Sequence, residues 1–335
     1  MEIRSRVFEK YIDYQFKIPL KNGDKVLVKE GKVEVGDILF ERLDSSLKKS
    51  LSITKALGCK KEKCEDYLTR IEGEYIQEGE IIAKRVSPGK LSVTTLVSPV
   101  SGVLDFSRVR QGYVDILGEE NSSTIKSDFV GYVNAVDPID GLVITTNAVV
   151  IDGVVSSKSE DKFFGKLEIL EDGNTILKEG TLSDDYRGKI VWVGPYLYNR
   201  VAIELFEKGA VAILTYAMSY TEFREIGLPI MILGGFGSVH CDVVFLKKLL
   251  TFRNKFVMLD TYQNQLFILS DSDLTNREWF VKQYINQSVI SRSQLTYGYI
   301  GKILDYDQDS NNVLVDFGKK GTSLMNIGLI DFIDL

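Results

Sequence analysis

The feature that most constrains this chain is a change of periodicity near residue 187. Residues 188–194 (GKIVWVG), 210–217 (AVAILTYA) and 228–233 (LPIMIL) are short continuous apolar runs. Residues 199–209 (NRVAIELFEKG), 221–227 (TEFREIG) and 243–250 (VVFLKKLL) instead space their apolar positions as helices do. A continuous apolar strand is buried on both faces, and strands alternating with helices form a parallel sheet with right-handed crossovers. The alternation predicts a βαβαβα layer, and 255–259 (KFVML) and 265–269 (QLFIL) add two strands, giving an α/β unit over 187–270.

The first half has a different rhythm. Residues 18–43 alternate apolar and polar positions around Gly23-Asp24, Gly31 and Gly36-Asp37, as short strands joined by tight turns do. Residues 70–85 (RIEGEYIQEGEIIAKR) echo this block, and Ser98-Pro99-x-x-Gly102 precedes a returning strand. Between the blocks, 52–70 (SITKALGCKKEKCEDYLTR) reads as two short helices broken at Gly58. The spacing also fits a helix-turn-helix, but Glu62, Glu65 and Asp66 largely cancel Lys60, Lys61 and Lys63, which favours an insert capping the β-unit. Residues 126–186 continue as a β-rich extension with Asp-Gly hairpin signals.

A polar stretch, 270–279 (SDSDLTNREW), marks a linker over 271–294. The tail, 295–335, reads as five short strands with turns at 309–312 and 318–321. A chain of 335 residues exceeds one comfortable core, so several units are expected.

The cadence of glycine, four or five residues, Gly-Asp or Gly-Glu and an aliphatic pair, then Ser98-Pro99-x-x-Gly102, resembles the biotinyl/lipoyl-like barrel-sandwich family over roughly residues 18–120. The resemblance implies a barrel-sandwich domain over 1–125, with the helical insert at 52–70. Carrier members of that family bear their cofactor on a lysine set in Met-Lys-Met or Asp-Lys-Ala. The matching stretch offers only Lys90, beside Gly89 and without either signature, so no cofactor is expected. Residues 187–260 resemble the swivelling β/β/α fold of protease-associated domains. The tail resembles KOW/SH3-like barrels, with Gly301 at their usual glycine. The whole order resembles a group of bacterial proteins combining these three units, which implies a multi-domain α+β architecture and no particular activity.

Charge narrows the partners. Forty-one basic against 47 acidic residues leave a net charge of −6, so no general field draws the chain to nucleic acid or anionic lipid. Many KOW-like barrels serve transcription or translation assemblies, yet this tail sets Lys302, Lys319 and Lys320 against Asp305, Asp307, Asp309, Asp316, Asp331 and Asp334. Phosphate contacts need the opposite balance. Protein docking is the preferred reading of the tail, with Tyr297, Tyr299 and Tyr306 as contact candidates. The N-terminus lacks a signal-peptide core and no apolar run approaches about 18 residues, so a cytoplasmic protein without membrane association is expected.

Little in the sequence equips the chain for catalysis. It has three cysteines, Cys59, Cys64 and Cys241, and one histidine, His240. Cys59-x4-Cys64 is not a zinc spacing, and adjacent His240 and Cys241 would need an unusual turn to act as a pair. No metal site and no catalytic set are expected. The best ligand candidate is Gly234, Gly235, Phe236, Gly237 and Ser238, after an expected parallel strand and before a helix, where backbone N–H groups can hold an anion. A plain glycine-rich crossover competes with that reading. The expectation is a non-catalytic binding or scaffold protein. The alternatives are a ribosome- or RNA-polymerase-associated factor acting through the tail, and a small-anion sensor or enzyme using the 234–238 loop.

Overall fold

The computed structural model describes residues 5–20, 23–87, 92–137, 141–159, 161–183, 185–237, 241, 243–270, 277–280, 284–307 and 310–333. With 49% strand against 15% helix, the molecule belongs to a β-rich α+β class. No helix among the described residues is long and apolar enough to cross a membrane.

Strands Lys189–Trp192, Ala212–Met218 and Ile230–Gly237 run parallel, in register Val191↔Ile213 and Leu214↔Met231. Every residue of Ala212–Met218 is buried, because helices cover both faces. Helix α2 (Asn199–Glu207) places Val201, Ala202, Leu205 and Phe206 against Val191, Ile213 and Ile230, with Phe223 and Ile226 of α3 (Tyr220–Ile226) beside them. Helix α4 (Val243–Leu250) packs Phe245, Leu246 and Leu249 on the opposite face, against Ile190, Trp192, Leu214 and Met231. Alternate residues of each strand thus feed two separate cores.

The sheet does not stop at the expected boundaries. Strand Lys162–Ile169, read from sequence as part of the 126–186 extension, joins the layer parallel to Lys189–Trp192, and Phe256–Asp260 pairs antiparallel on its other side. Through Gln265–Leu269 the sheet reaches Gly141–Asp152, and that strand pairs with Ser5–Ile18 (Phe16↔Ile144). The N-terminal strand therefore pairs across the expected 125/126 boundary. Turn signals report local chain reversals, and this pairing is long-range.

A ribbon in which Ile38–Ser52 and Tyr113–Lys126 pair from Ile38↔Lys126 to Ser52↔Tyr113 projects from the region expected to be a barrel sandwich. Residues 53–112 close at its end around Ile53, Leu57, Cys64, Ile76, Ile82, Leu104 and Ile116. Helix α1 (Ile53–Leu57) starts where Ser52 Oγ accepts from the Lys55 N–H (3.3 Å) and stops at Gly58 in the left-handed conformation (φ 58°). The expected second helix is instead two 3₁₀ turns, Lys61–Lys63 and Glu65–Tyr67, too short for a recognition helix. Lys90 lies outside the described residues.

The stretch expected to be a linker contains paired strands. It holds Arg277–Phe280, paired with Ser5–Ile18, and Ser288–Ser291, paired with both Ile300–Asp307 and Ile330–Phe332. Val289 and Ser291 point inward and are buried, a two-residue alternation too brief to stand out beside the polar stretch before it. The C-terminal unit thus takes one strand from the linker and four from the tail: Ile300–Asp307, Asn312–Asp316, Thr322–Asn326 and Ile330–Phe332. They enclose Val289, Ile303, Val313, Val315, Met325 and Ile327.

Candidate functional site

The glycine run occupies a strand, not a loop. Gly234 to Gly237 are the last four residues of Ile230–Gly237, and Ser238 lies outside the described residues. On one side the run pairs with the neighbouring parallel strand (Ala217↔Gly235, Met218↔Phe236) and on the other with the C-terminal unit (Phe236↔Asp331, Gly237↔Phe332). Tyr284, also from the expected linker, donates its hydroxyl to the Gly234 carbonyl at 2.6 Å. A Cβ on Gly234 would lie 2.4 Å from the Tyr216 ring, and one on Gly235 2.6 Å from the Phe332 ring. Gly234 allows close approach within the parallel layer, and Gly235 between that layer and the C-terminal unit. They lie in a paired strand rather than in the loop expected from the sequence.

The three candidate tyrosines separate. Tyr306 is 4% exposed and packs against Tyr284 at 5.0 Å between ring centroids, so it belongs to the core of the C-terminal unit. Tyr299 is half-buried, with Lys320 Nζ 3.4 Å from its ring centroid. Tyr297 is 71% exposed and Leu295, in the same turn, 91%.

Where the C-terminal unit meets the parallel layer, one rung crosses four strands: Leu197, Met218, Phe236 and Asp331. This is the carboxyl edge of the parallel strands, where open α/β sheets bind ligands. Helices α2 and α3 begin there, the first directly after Tyr196–Leu197 and the second after Ala212–Met218. Arg292 pairs with Asp331 Oδ2 and holds its guanidinium carbon 4.6 Å from the centroid of the Tyr220 ring. Phe236 meets the same ring edge-on at 5.2 Å. Tyr196 and Tyr198 pack at 5.0 Å.

Four buried polar atoms at this junction have no hydrogen-bond partner among the described residues: Asn199 Oδ1, Glu222 Oε2, Arg292 Nε and Asp331 Oδ1. Asp331 is itself only 8% exposed. Burial raises the Tyr196 hydroxyl above the usual tyrosine range, and Glu222, Tyr198 and Asp331 push it the same way. The Asp331 contact pushes Arg292 further up still. The four junction atoms are among the seven buried side-chain polar atoms without a hydrogen-bond partner among the described residues.

Sequence reasoning missed Asn199, Glu222, Arg292 and Asp331. The available signal was the position of Asn199 and Glu222 just after parallel strands; nothing pointed to Arg292 or Asp331, which reach the edge only through tertiary pairing.

Elsewhere, Cys59 and Cys64 hold their Sγ atoms 3.8 Å apart, and burial, followed by the bond to Cys59, pushes the Cys64 thiol up to about 12. No group of three or more His, Cys, Asp or Glu among the described residues is placed to hold a metal. His240 lies outside them, and Cys241 is half-buried.

No protein-family model, curated protein or solved structure matches the chain.

Proposed function

We propose that the chain is a non-catalytic binding or scaffold protein. A barrel-sandwich unit, a swivelling α/β unit and an SH3-like barrel are joined through paired strands, and a protein partner is engaged where the last two meet. The junction carries this reading, since unpartnered polar atoms gather beside Tyr198, Tyr297 and Leu295, which are 47%, 71% and 91% exposed. Exposed aromatic residues with polar groups beside them are in keeping with a protein-docking patch, whose aromatic-rich centre is ringed by polar residues. The aspartate excess of the tail supports a protein partner over a nucleic acid.

The test is affinity capture from the native host by the full chain and by a Leu295→Ala/Tyr297→Ala variant. Retention by the native chain above about 0.2 M salt, reduced in the variant, supports the reading. Recovery of ribosomes or RNA polymerase, lost above that salt, supports assembly association through the tail instead. Equal capture by both forms removes the junction from the interface.

A further inference from the structure

The proposed binding role leaves the pair Cys59 and Cys64 without a use. Their Sγ atoms stand 3.8 Å apart. Cys64 is buried in the core around Ile53, Leu57 and Ile82, and Cys59 is half-buried against that core. Local backbone structure sets the spacing. The Cys59 N–H donates to the Thr54 carbonyl (3.3 Å) where α1 ends at Gly58, and the Cys64 N–H donates to the Lys61 carbonyl (3.1 Å) at the close of the Lys61–Lys63 turn. Arg85 Nη1 donates to the Leu57 carbonyl at 2.7 Å and fastens the end of α1 from the strand Ile81–Val86. The chain between the cysteines is thus wound into a single 3₁₀ turn that brings both thiols to one core.

Two thiols this close can share a metal or a bond. A structural zinc site takes four ligands, and no third His, Cys, Asp or Glu among the described residues joins these two. A disulfide needs only the two sulfurs, drawn together from 3.8 Å to about 2.05 Å.

We propose that Cys59 and Cys64 form a reversible disulfide by exchange with a small-molecule disulfide of the glutathione type. Cys59 is the point of entry, because Cys64 is shielded from solutes. The Cys59 thiolate attacks one sulfur of the oxidant, a mixed disulfide forms, and one small thiolate leaves. Cys64 then gives up its proton to solvent and attacks the Cys59 sulfur. The Cys59–Cys64 bond forms, the mixed bond breaks and a second small thiolate leaves. Two protein thiols are oxidised, the small disulfide is reduced to two thiols, and the two protons pass through solvent to the departing sulfurs. In the reduced pair, burial holds the proton on Cys64, helped by the bond and charge of Cys59 and by Glu62. In the mixed disulfide Cys59 carries no charge, so that part of the hold is released when Cys64 must act as the nucleophile. The new bond closes a ring over the Lys61–Lys63 turn. From that turn Lys61 Nζ reaches the Gly227 carbonyl (3.5 Å), so the modification lies beside a contact with the α/β layer.

The test equilibrates the full chain with mixtures of reduced and oxidised glutathione at about pH 8, near the ordinary thiol pKa. Samples are quenched with acid and N-ethylmaleimide and read by intact and peptide mass. Trypsin cuts after Lys60 and Lys63, so the expected product is peptide 56–60 joined to peptide 64–70, lighter by two hydrogens than the free pair and separated by dithiothreitol. Because the fold presents the sulfurs to each other, half-oxidation should need a ratio of oxidised to squared reduced glutathione at least about tenfold lower in the folded chain than in urea. Cys59→Ser should abolish the joined peptide and leave Cys64 unmodified, and Cys241→Ser should leave the joined peptide unchanged. Oxidation no easier in the folded chain than in urea overturns the site, and this comparison needs no variant. So does a stable glutathione adduct on Cys59 beside reduced Cys64, or a bond from either residue to Cys241.

Discussion

Replacing Arg108 with methionine should be the most damaging single change outside the apolar cores. Arg108 is 7% exposed and ties three segments together. Its Nε donates to Asp115 Oδ2 (2.7 Å), and its Nη2 donates to Asp115 Oδ1 (2.6 Å) and Ser50 Oγ (2.7 Å). Its Nη1 donates to the Phe206 carbonyl near the C-terminus of α2, so it ties the residues 53–112 region to the α/β layer, as the exposed Lys61 Nζ does at the Gly227 carbonyl. Methionine keeps an apolar stem beside Tyr113 and removes the charge and every donor. The Phe206 carbonyl still accepts from the Gly209 N–H (3.0 Å), so the loss concentrates on Asp115, which at 4% exposure is left buried and unpaired. Removing one partner of a buried ion pair costs about 3–5 kcal/mol. Replacing both by apolar residues costs far less, so Arg108→Met/Asp115→Leu should recover more than half of the single-variant loss. Urea unfolding followed by circular dichroism reads the difference, provided the slope with denaturant is unchanged. A single-variant loss below about 1 kcal/mol, the range of exposed pairs, would refute the argument. So would a double variant less stable than Arg108→Met.

Three further outcomes follow from the packing. Gly235→Ala should cost about 1–3 kcal/mol, because its Cβ meets the Phe332 ring at 2.6 Å on a backbone at φ +145°; Gly36→Ala, also at positive φ but with nothing within 4 Å, should cost less in the same urea titration. Burial raises the Asp128 carboxyl above the ordinary aspartate range, against the Phe256 N–H that lowers it. The folded state therefore holds that proton more tightly, and stability falls as pH rises from the ordinary aspartate value through the raised one. Asp128→Asn should flatten this part of the stability–pH curve and be more stable than the native chain at neutral pH; an unchanged curve argues against it. With its thiol pushed up to about 12, Cys64 should be the last cysteine alkylated by iodoacetamide at pH 8, read by peptide mass spectrometry. Modification of Cys64 as fast as Cys241 would contradict the burial argument.

The parallel layer was legible because its strands and helices are each defined by a local period, and α2 carries Val201, Ala202, Leu205 and Phe206 on one stripe whatever lies opposite. The glycine run was legible as special, yet its cause was not. A phosphate cradle and a close approach of neighbouring strands both call for glycine, and what separates them is the partner, Tyr216 and Phe332, which sit elsewhere in the chain. Ser288–Ser291 was hidden because a four-residue strand has no period long enough to read. The junction was illegible for the same reason at larger scale. Arg292 and Asp331 carry no local signal, and only the parallel pairing of Ile330–Phe332 with Ile230–Gly237 brings them to the edge where Arg292 meets the Tyr220 ring.

Ser5–Ile18 is held by Arg277–Phe280 and by Gly141–Asp152, so segments far apart in the sequence, as in Ser5↔Phe280, are ladder neighbours. Such a molecule resists dissection. Fragments cut at the sequence boundaries would each expose the raw flank of a sheet and tend to aggregate rather than behave as modules, while a protease nicking a surface turn would leave two pieces still clasped and co-eluting. Genetic separation of its parts would then require circular permutation instead of truncation.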